Sequence, residues 1–405
     1  MKLSVMITFC NQNQYIKEAL DSCVNQIVDF KYEILIGLDN GDDEARKIIE
    51  DYIEKYSYIK LYEIDNSKLD GTNIEKASSN RLNLLKKAKG EYLSFLDGDD
   101  FYCDNNRFQI MVDFLDNNSG YIAAFHEQKR FDENKKSYVN IGESSFPFGK
   151  VLPNEYLKTH RQFSCFMYRN IFMGIIPSDF NSKCVNDSSF TYYYLRYGAF
   201  YFIPRKMYVH RVGIETIFTS KRELIKMLYA LLCAEMNQKF LMQYGKEIGK
   251  KISRLLVRIN KFKKQQFDFD NIDDADEIEK IKKYAKEQNC YYAYNLINYE
   301  SLNLCQKIKF HFCVQFLRLF KKDLLFNMRQ NRNLAYFAAK ANFGDELNLY
   351  VLQRLFKFNI KHSKIKKADL IAIGSFLGPN LTSSRRFDFR KINVWGTGFI
   401  QEKIF

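Results

Sequence analysis

The chain has 405 residues, 46% hydrophobic and 27% charged, which is globular material too long for one hydrophobic core, so two or three packed units are expected. No stretch approaches the roughly 20 uninterrupted apolar residues of a membrane-spanning helix, and the apolar run Met1–Phe9 is too short for a secretory signal. The formal net charge of +14 calls for an anionic partner such as a nucleotide diphosphate or an anionic membrane; nucleic acid is set aside, because the basic excess is spread along the helical half without a recognisable reading module.

Leu3–Phe9 reads as a strand, Cys10 to Gln14 as a polar loop, and Ile16, Ala19, Leu20, Cys23 and Val24 recur at helical spacing. Tyr32–Leu38 is a second strand closed by Asp39-Asn40-Gly41-Asp42-Asp43, followed by a helix over Ala45–Tyr56. Ile59–Ile64 is a third strand, and a helix over Asn80–Lys89 feeds Gly90 and a fourth strand, Glu91–Leu96. Alternating β and α units predict an α/β fold with a mostly parallel, doubly wound sheet. Asp39 and Asp97 then stand at equivalent carboxyl ends, facing the crevice where such sheets bind ligands.

The fourth strand stops at Asp97-Gly98-Asp99-Asp100. Carboxylates this close repel one another, and a cation relieves the repulsion. Oxygen-only donors favour Mg2+ or Mn2+, whose coordination substrate phosphates often complete. A bare Asp-x-Asp-Asp can equally be an acidic turn that closes a strand. Further on, Phe190–Tyr197 is helical after Asn186-Asp187, where Asp187 suits a helix N-cap. Phe200–Ile203, Pro204 and Met207–Val212 resemble a single strand that closes a domain of this kind.

Ser4-Val5-Met6-Ile7 with Asn11 and Tyr15, then Asp39 to Asp43, then Lys89-Gly90-Glu91-Tyr92 running into Asp97-Gly98-Asp99-Asp100 resemble the signature of the family-two inverting glycosyltransferases. The likeness continues through Asn105, Arg107, Gln109, Val112 to Leu115 and Phe125-His126, and covers about residues 1–220. It implies the GT-A nucleotide-diphospho-sugar fold and a divalent cation, Mn2+ or Mg2+. Asp39 is expected to receive the nucleobase, Asp97 to hold the ribose and reach the metal through water, and Asp99 to bind the metal directly. Asp187 matches the family's acidic base. Where the family often has Pro-Thr-Tyr-Asn this chain has Thr8-Phe9-Cys10-Asn11, so Phe9 stands in for the aromatic platform with Asn11 beside it. The usual His of the closing strand is missing, His210 being out of register, while Arg211 keeps its place and is expected to hold phosphate. Lys158-Thr159-His160 and Ser164 to Arg169 resemble the strand lining the acceptor side.

Residues 221–335 read as a helical region: Leu224–Tyr244, Ile248–Phe262 and Ile278–Ala285, with an acidic connector over Asp268–Glu279. Leu302–Met328 sets an apolar face beside Lys307, Lys309, Arg318, Lys321 and Lys322, which suits either an anionic membrane surface or packing on the catalytic domain. In residues 336–405, Asn342 to Asn348, the strand Ala368–Gly374 with its glycine loop, and Asn393 to Phe399 resemble part of a polysaccharide pyruvyltransferase. Nine scattered cysteines, odd in number and without a Cys-x-x-Cys pair, argue against a disulfide framework or zinc site and for a cytoplasmic protein, which the membrane reading of Leu302–Met328 would make peripheral on the inner leaflet. The reading is a metal-dependent transferase that takes a nucleotide-diphospho-sugar, a UDP-sugar foremost, to a glycan or lipid-linked glycan such as capsule or lipooligosaccharide. The alternatives are a degenerate transferase kept as a membrane-associated scaffold, and a nucleotidyltransferase.

Overall fold

The computed structural model describes residues 1–302 apart from 11–12, 42, 67, 142–145, 147, 158–160, 179, 181–182, 215–222, 241–244 and 267–271; beyond these it describes 306, 310, 332–336, 360–362, 370–373 and 393–396. The chain divides into two compact units, Met1–Ser301 and Leu302–Phe405.

The first unit opens with β1 (Leu3–Phe9), α1 (Asn13–Val24), β2 (Tyr32–Asp39), α2 (Asp43–Lys55), β3 (Ile59–Ile64), α3 (Asn73–Lys87) and β4 (Tyr92–Asp97). These four strands lie parallel in the order β3-β2-β1-β4. Every residue of β2 is buried, as expected of a strand covered on both faces, whereas α2 buries only Ala45, Ile49 and Tyr52. The register pairs Thr8 with both Gly37 and Asp97, which sets the carboxyl ends of β2 and β4 on either side of β1.

Helix α3 begins earlier than its apolar spacing suggests. Thr72 caps it by accepting from the Glu75 amide at 3.3 Å, while the Glu75 carboxylate accepts the Thr72 amide at 3.0 Å. Asn80 docks the helix on β2 by donating to the Gly37 carbonyl at 3.0 Å; a Cβ at Gly37 would lie 2.0 Å from its amide oxygen.

Then follow β5 (Phe101–Tyr102), α4 (Arg107–Asn117), β6 (Tyr121–Asp132), β7 (Ser137–Val139), β8 (Gly149–Val151), α5 (Pro153–Tyr156), β9 (Phe166–Arg169), α6 (Asp187–Tyr194) and β10 (Ala199–Val212). They extend the sheet through β9, β6, β10 and β5, with β9 antiparallel between β4 and β6. Strand β10 runs continuously through the stretch read as the closing strand, but its register against β6 slips between Ile203 and Lys206, and Pro204, which has no amide hydrogen to donate, sits in that slip. Its second half pairs antiparallel with β5, Tyr208 opposite Tyr102, and so lies against the turn that carries the acidic motif.

Helices α7 (Glu223–Phe240), α8 (Gly245–Gln266), α9 (Ile272–Glu287) and α10 (Tyr291–Ile297) belong to the same unit, so the boundary expected at residue 220 falls within it. Buried Glu235 of α7 accepts the amides of Tyr292 and Ala293, both at 2.7 Å, which places a carboxylate on the N-terminus of α10. Residues 272–279 of the expected acidic connector are the first turns of α9. Except for Leu302, Gln306 and Phe310, the amphipathic segment Leu302–Met328 lies outside the described residues, as does the glycine-bearing segment Asn342–Asn348. Among the described residues, no helix is long and apolar enough to cross a membrane.

Taken by itself, the second unit contains β11 (Arg332–Tyr336), β12 (Ile360–His362), β13 (Leu370–Ile373) and β14 (Asn393–Gly396), a parallel sheet in the order β12-β11-β13-β14.

Candidate active site

The carboxyl ends of β2 and β4 bring the acidic residues together. Asp39, the last residue of β2, is 5% exposed, and its carboxylate accepts the side-chain amide of Asn66 at 2.8 Å and the Asn66 backbone amide at 3.2 Å. Asn66 also donates to the Lys76 carbonyl at 3.1 Å, tying the loop after β3 to α3.

Asp97 ends β4 with 30% of its side-chain surface open. Its Oδ1 accepts from Arg81 Nη2 at 2.7 Å, and its backbone amide donates to Ser164 Oγ at 3.4 Å. Burial raises its pKa, and the charges of Asp187 and Asp100 add to the rise against the opposing pull of Arg81. Asp99, 9% exposed, is pushed up to about 7 by burial and then by the charges of Asp100 and Asp97.

Asp100 is held differently. It accepts the Tyr208 hydroxyl, His210 Nδ1 at 3.3 Å and the Arg211 amide at 2.7 Å, so all three of these partners come from β10. Burial disfavours the charged His210 ring, but the hydrogen bond and charge of Asp100, with that of Asp99, outweigh it and raise its pKa. Thus His210, out of the family's register, still stands beside the acidic cluster.

Asp187 is the first residue of α6; the cap is Asn186, whose side chain accepts the Ser189 amide at 3.0 Å, so the N-cap role read for Asp187 belongs to its neighbour. The charge of Asp187 acts on both Arg81 and Asp97, which places it in the same field as the acids at the carboxyl end of β4. Arg81 Nη1 reaches the Val185 carbonyl at 3.2 Å.

Two expected ligands stand elsewhere. Phe9 is 1% exposed and packs against Gly98, where an added Cβ would lie 2.1 Å from the Phe9 ring; it fills the floor beneath the acidic turn and offers no open face to a base. Arg211 is buried, its guanidinium paired with Glu18 and Glu133 and lying 4.7 Å from the Tyr15 ring centroid and 4.9 Å from that of Phe101. It joins α1 to β10, with its two terminal nitrogens already committed. Asn11 and His160 lie outside the described residues.

Sequence reading missed Asn66 and Arg81, and named Ser164 only within the acceptor-side resemblance, not as a partner of Asp97. Their signals are weak: a polar residue after a strand, a cation inside a helix and a serine in an aperiodic stretch. Arg107 and His126, read only as part of the resemblance, form a buried pair at 2.8 Å, and Arg107 also binds the carbonyls of Ser164 and Phe166 at 2.9 and 3.0 Å. That fixes β9 and Ser164 behind Asp97. Burial lowers the His126 pKa well below its ordinary value, consistent with a neutral ring that accepts from Arg107.

Among the described residues, no group of three or more His, Cys, Asp or Glu is arranged to hold a metal ion. The pair Asp97 and Asp99 nevertheless fits a hard divalent cation: both donors are oxygens, and the pKa of Asp99, raised first by burial and then by the charges of Asp100 and Asp97, marks a carboxylate whose ionised form a cation would stabilise. A cavity of about 300 Å3 is lined by Asp70, Glu75, Lys183, Lys283 and Tyr284 among others, and includes none of these acids of the site.

Residues 4–173 match the family model described as Glycosyl transferase family 2. An uncharacterized glycosyltransferase of Mycoplasma genitalium is 33% identical over 137 residues, 34% of this chain and 43% of that protein. The poly(ribitol-phosphate) beta-glucosyltransferase of Bacillus spizizenii is 34% identical over 102 residues, 25% of this chain and 15% of that protein. The match spans about a third, 34%, of the length of the mycobacterial curated relatives. Among solved structures, S. aureus TarS in complex with UDP-GlcNAc shares the fold at a TM-score of 0.51 and 18% identity, over 78% of this chain and 92% of that chain.

Proposed function

We propose that the protein, whose residues 4–173 match the model of glycosyl transferase family 2, moves a sugar from a nucleotide-diphosphate donor, a UDP-sugar foremost, to a bacterial surface glycan with inversion at the anomeric carbon. The observation that carries the reading is that Arg81 bonds both Asp97, at the carboxyl end of β4, and the Val185 carbonyl two residues before Asp187, which brings the acids of the motif and Asp187 to one edge of the sheet. The beta-glucosyltransferase relative, named for poly(ribitol-phosphate), supports a surface glycan as acceptor.

In this reading Asp39 accepts the imide N–H of the base, with its carboxylate oriented by Asn66. Asp97 receives the ribose, steadied by Arg81. Asp97 and Asp99 would hold Mn2+ or Mg2+, which when bound supplies electrostatic stabilisation of the leaving diphosphate. Asp187 takes the proton from the acceptor hydroxyl as that oxygen attacks opposite the diphosphate, so its carboxylate must be ionised and within hydrogen-bond reach. The acceptor is a glycan or lipid-linked glycan met from the cytoplasmic side of the inner leaflet. The second reading, a degenerate scaffold, draws on the buried Phe9 and the committed Arg211. Titrating the protein with UDP, with and without Mn2+, separates the two: the enzyme binds UDP more tightly with the metal and loses that gain in Asp99→Ala, whereas a scaffold shows no metal-dependent affinity.

A further inference from the structure

Helix α3 reaches three parts of the site: the partner of Asp39, Asp97 itself, and the backbone two residues before Asp187. Its Lys76 carbonyl holds the side chain of Asn66, the partner of Asp39, at 3.1 Å, and its Arg81 pairs with Asp97 at 2.7 Å. It also grips the backbone that leads into Asp187. The Val185 amide donates to Ser78 Oγ at 2.8 Å, and the Val185 carbonyl accepts from Arg81 Nη1 at 3.2 Å. Ser78 and Arg81 are three residues apart and so share one helical face. Binding both backbone groups of a single buried residue fixes its position and its orientation.

Asn186 is then held from the other side. Its side-chain amide donates to the sulfurs of Cys184 at 3.2 Å and Cys233 of α7 at 3.3 Å, while its oxygen caps α6. The segment Cys184–Asp187 is thus suspended between α3 and α7. On the α3 side, the route from Val185 to Asp97 is one guanidinium that bonds both.

We propose that Ser78 and Arg81 are positioning residues: through Val185 they set the distance between the donor carboxylates and the base, Asp187. The proposal rests on the assignment of Asp187 as base. Among the described residues the Ser78 hydroxyl bonds the Val185 amide and none of the carboxylates Asp39, Asp97 and Asp99, so its loss is expected to move the base and leave the nucleotide site in place. Arg81 does both jobs, and a lysine there keeps a cation for Asp97 but cannot fork to Val185 as well.

The test is steady-state transfer by the full chain carrying Ser78→Ala or Arg81→Lys, with UDP affinity in Mn2+ and thermal midpoint measured on the same samples. A displaced catalytic group of this kind lowers rate by ~10-fold to ~100-fold. The expected signature is that loss in kcat for transfer, with donor KM and UDP affinity within about threefold of wild type and the protein still folded. Wild-type kcat in both variants overturns the proposal, as does a loss confined to donor KM, which would make Arg81 a donor ligand only. Should Ser78→Ala fail to fold, Arg81→Lys decides by the same split. Asp187→Asn is assayed alongside: full transfer by that variant removes the base assignment and the proposal with it, whereas failure of the positioning variants alone leaves the base assignment standing.

Discussion

The carboxylate of Asp100 accepts the backbone amide of Arg211 at 2.7 Å, and this bond assigns the third acid of the motif to the architecture. With the Tyr208 hydroxyl and His210 on the same side chain, Asp100 fastens β10 to the turn after β4. Asp100→Ala strands a buried amide and a buried hydroxyl, so it should destabilise the protein by about 2–4 kcal/mol in denaturant unfolding, with no change in slope.

Gly98 is required by its neighbour. A Cβ there would meet the Phe9 ring at 2.1 Å and the Thr8 carbonyl at 2.7 Å, so Gly98→Ala should cost about 1–3 kcal/mol. The cost is read as a lowered thermal midpoint. A smaller residue at Phe9, in a double variant, should recover part of it.

The metal site proposed at Asp99 is expected to be pH-dependent. The pKa of Asp99 in the folded protein is about 7 against an ordinary 3.8, so the folded state holds a proton there that the unfolded chain releases. That stabilising contribution is complete below the ordinary value and is lost as pH rises through about 7. A divalent cation needs the ionised form. The rise in thermal midpoint on adding Mn2+ should therefore be small at about pH 5.5 and large at about pH 8, and should vanish at both in Asp99→Asn.

The donor half of the fold was legible because its strands are buried on both faces and end at acidic turns: β1, β2 and β4 come directly from the apolar runs and place Asp39 and Asp97 at one edge. Helix α3 was read short because its first turns, from Asn73, follow a capping box instead of an apolar stripe. The acceptor half was opaque. β9 has four residues and lies antiparallel in the middle of the sheet, a placement set by β4 and β6 and not by its own pattern. Phe9 and Arg211 show the limit of transferring positions: both occupy the expected places in the chain, yet packing on Gly98 and pairing with Glu18 and Glu133 decide what they do. The cap read as the alternative role of Asp187 is taken by Asn186.

The central claim is tested most directly by release of nucleotide diphosphate from a panel of nucleotide sugars, with and without Mn2+, in the wild type, Asp99→Ala and Asp187→Asn. The account predicts metal-dependent release from a UDP-sugar that is abolished in Asp99→Ala. It predicts that Asp187→Asn binds UDP as the wild type does but transfers to acceptor ~100-fold to ~10,000-fold more slowly. Absence of metal-dependent release and affinity for every donor, or full transfer by Asp187→Asn, would contradict it.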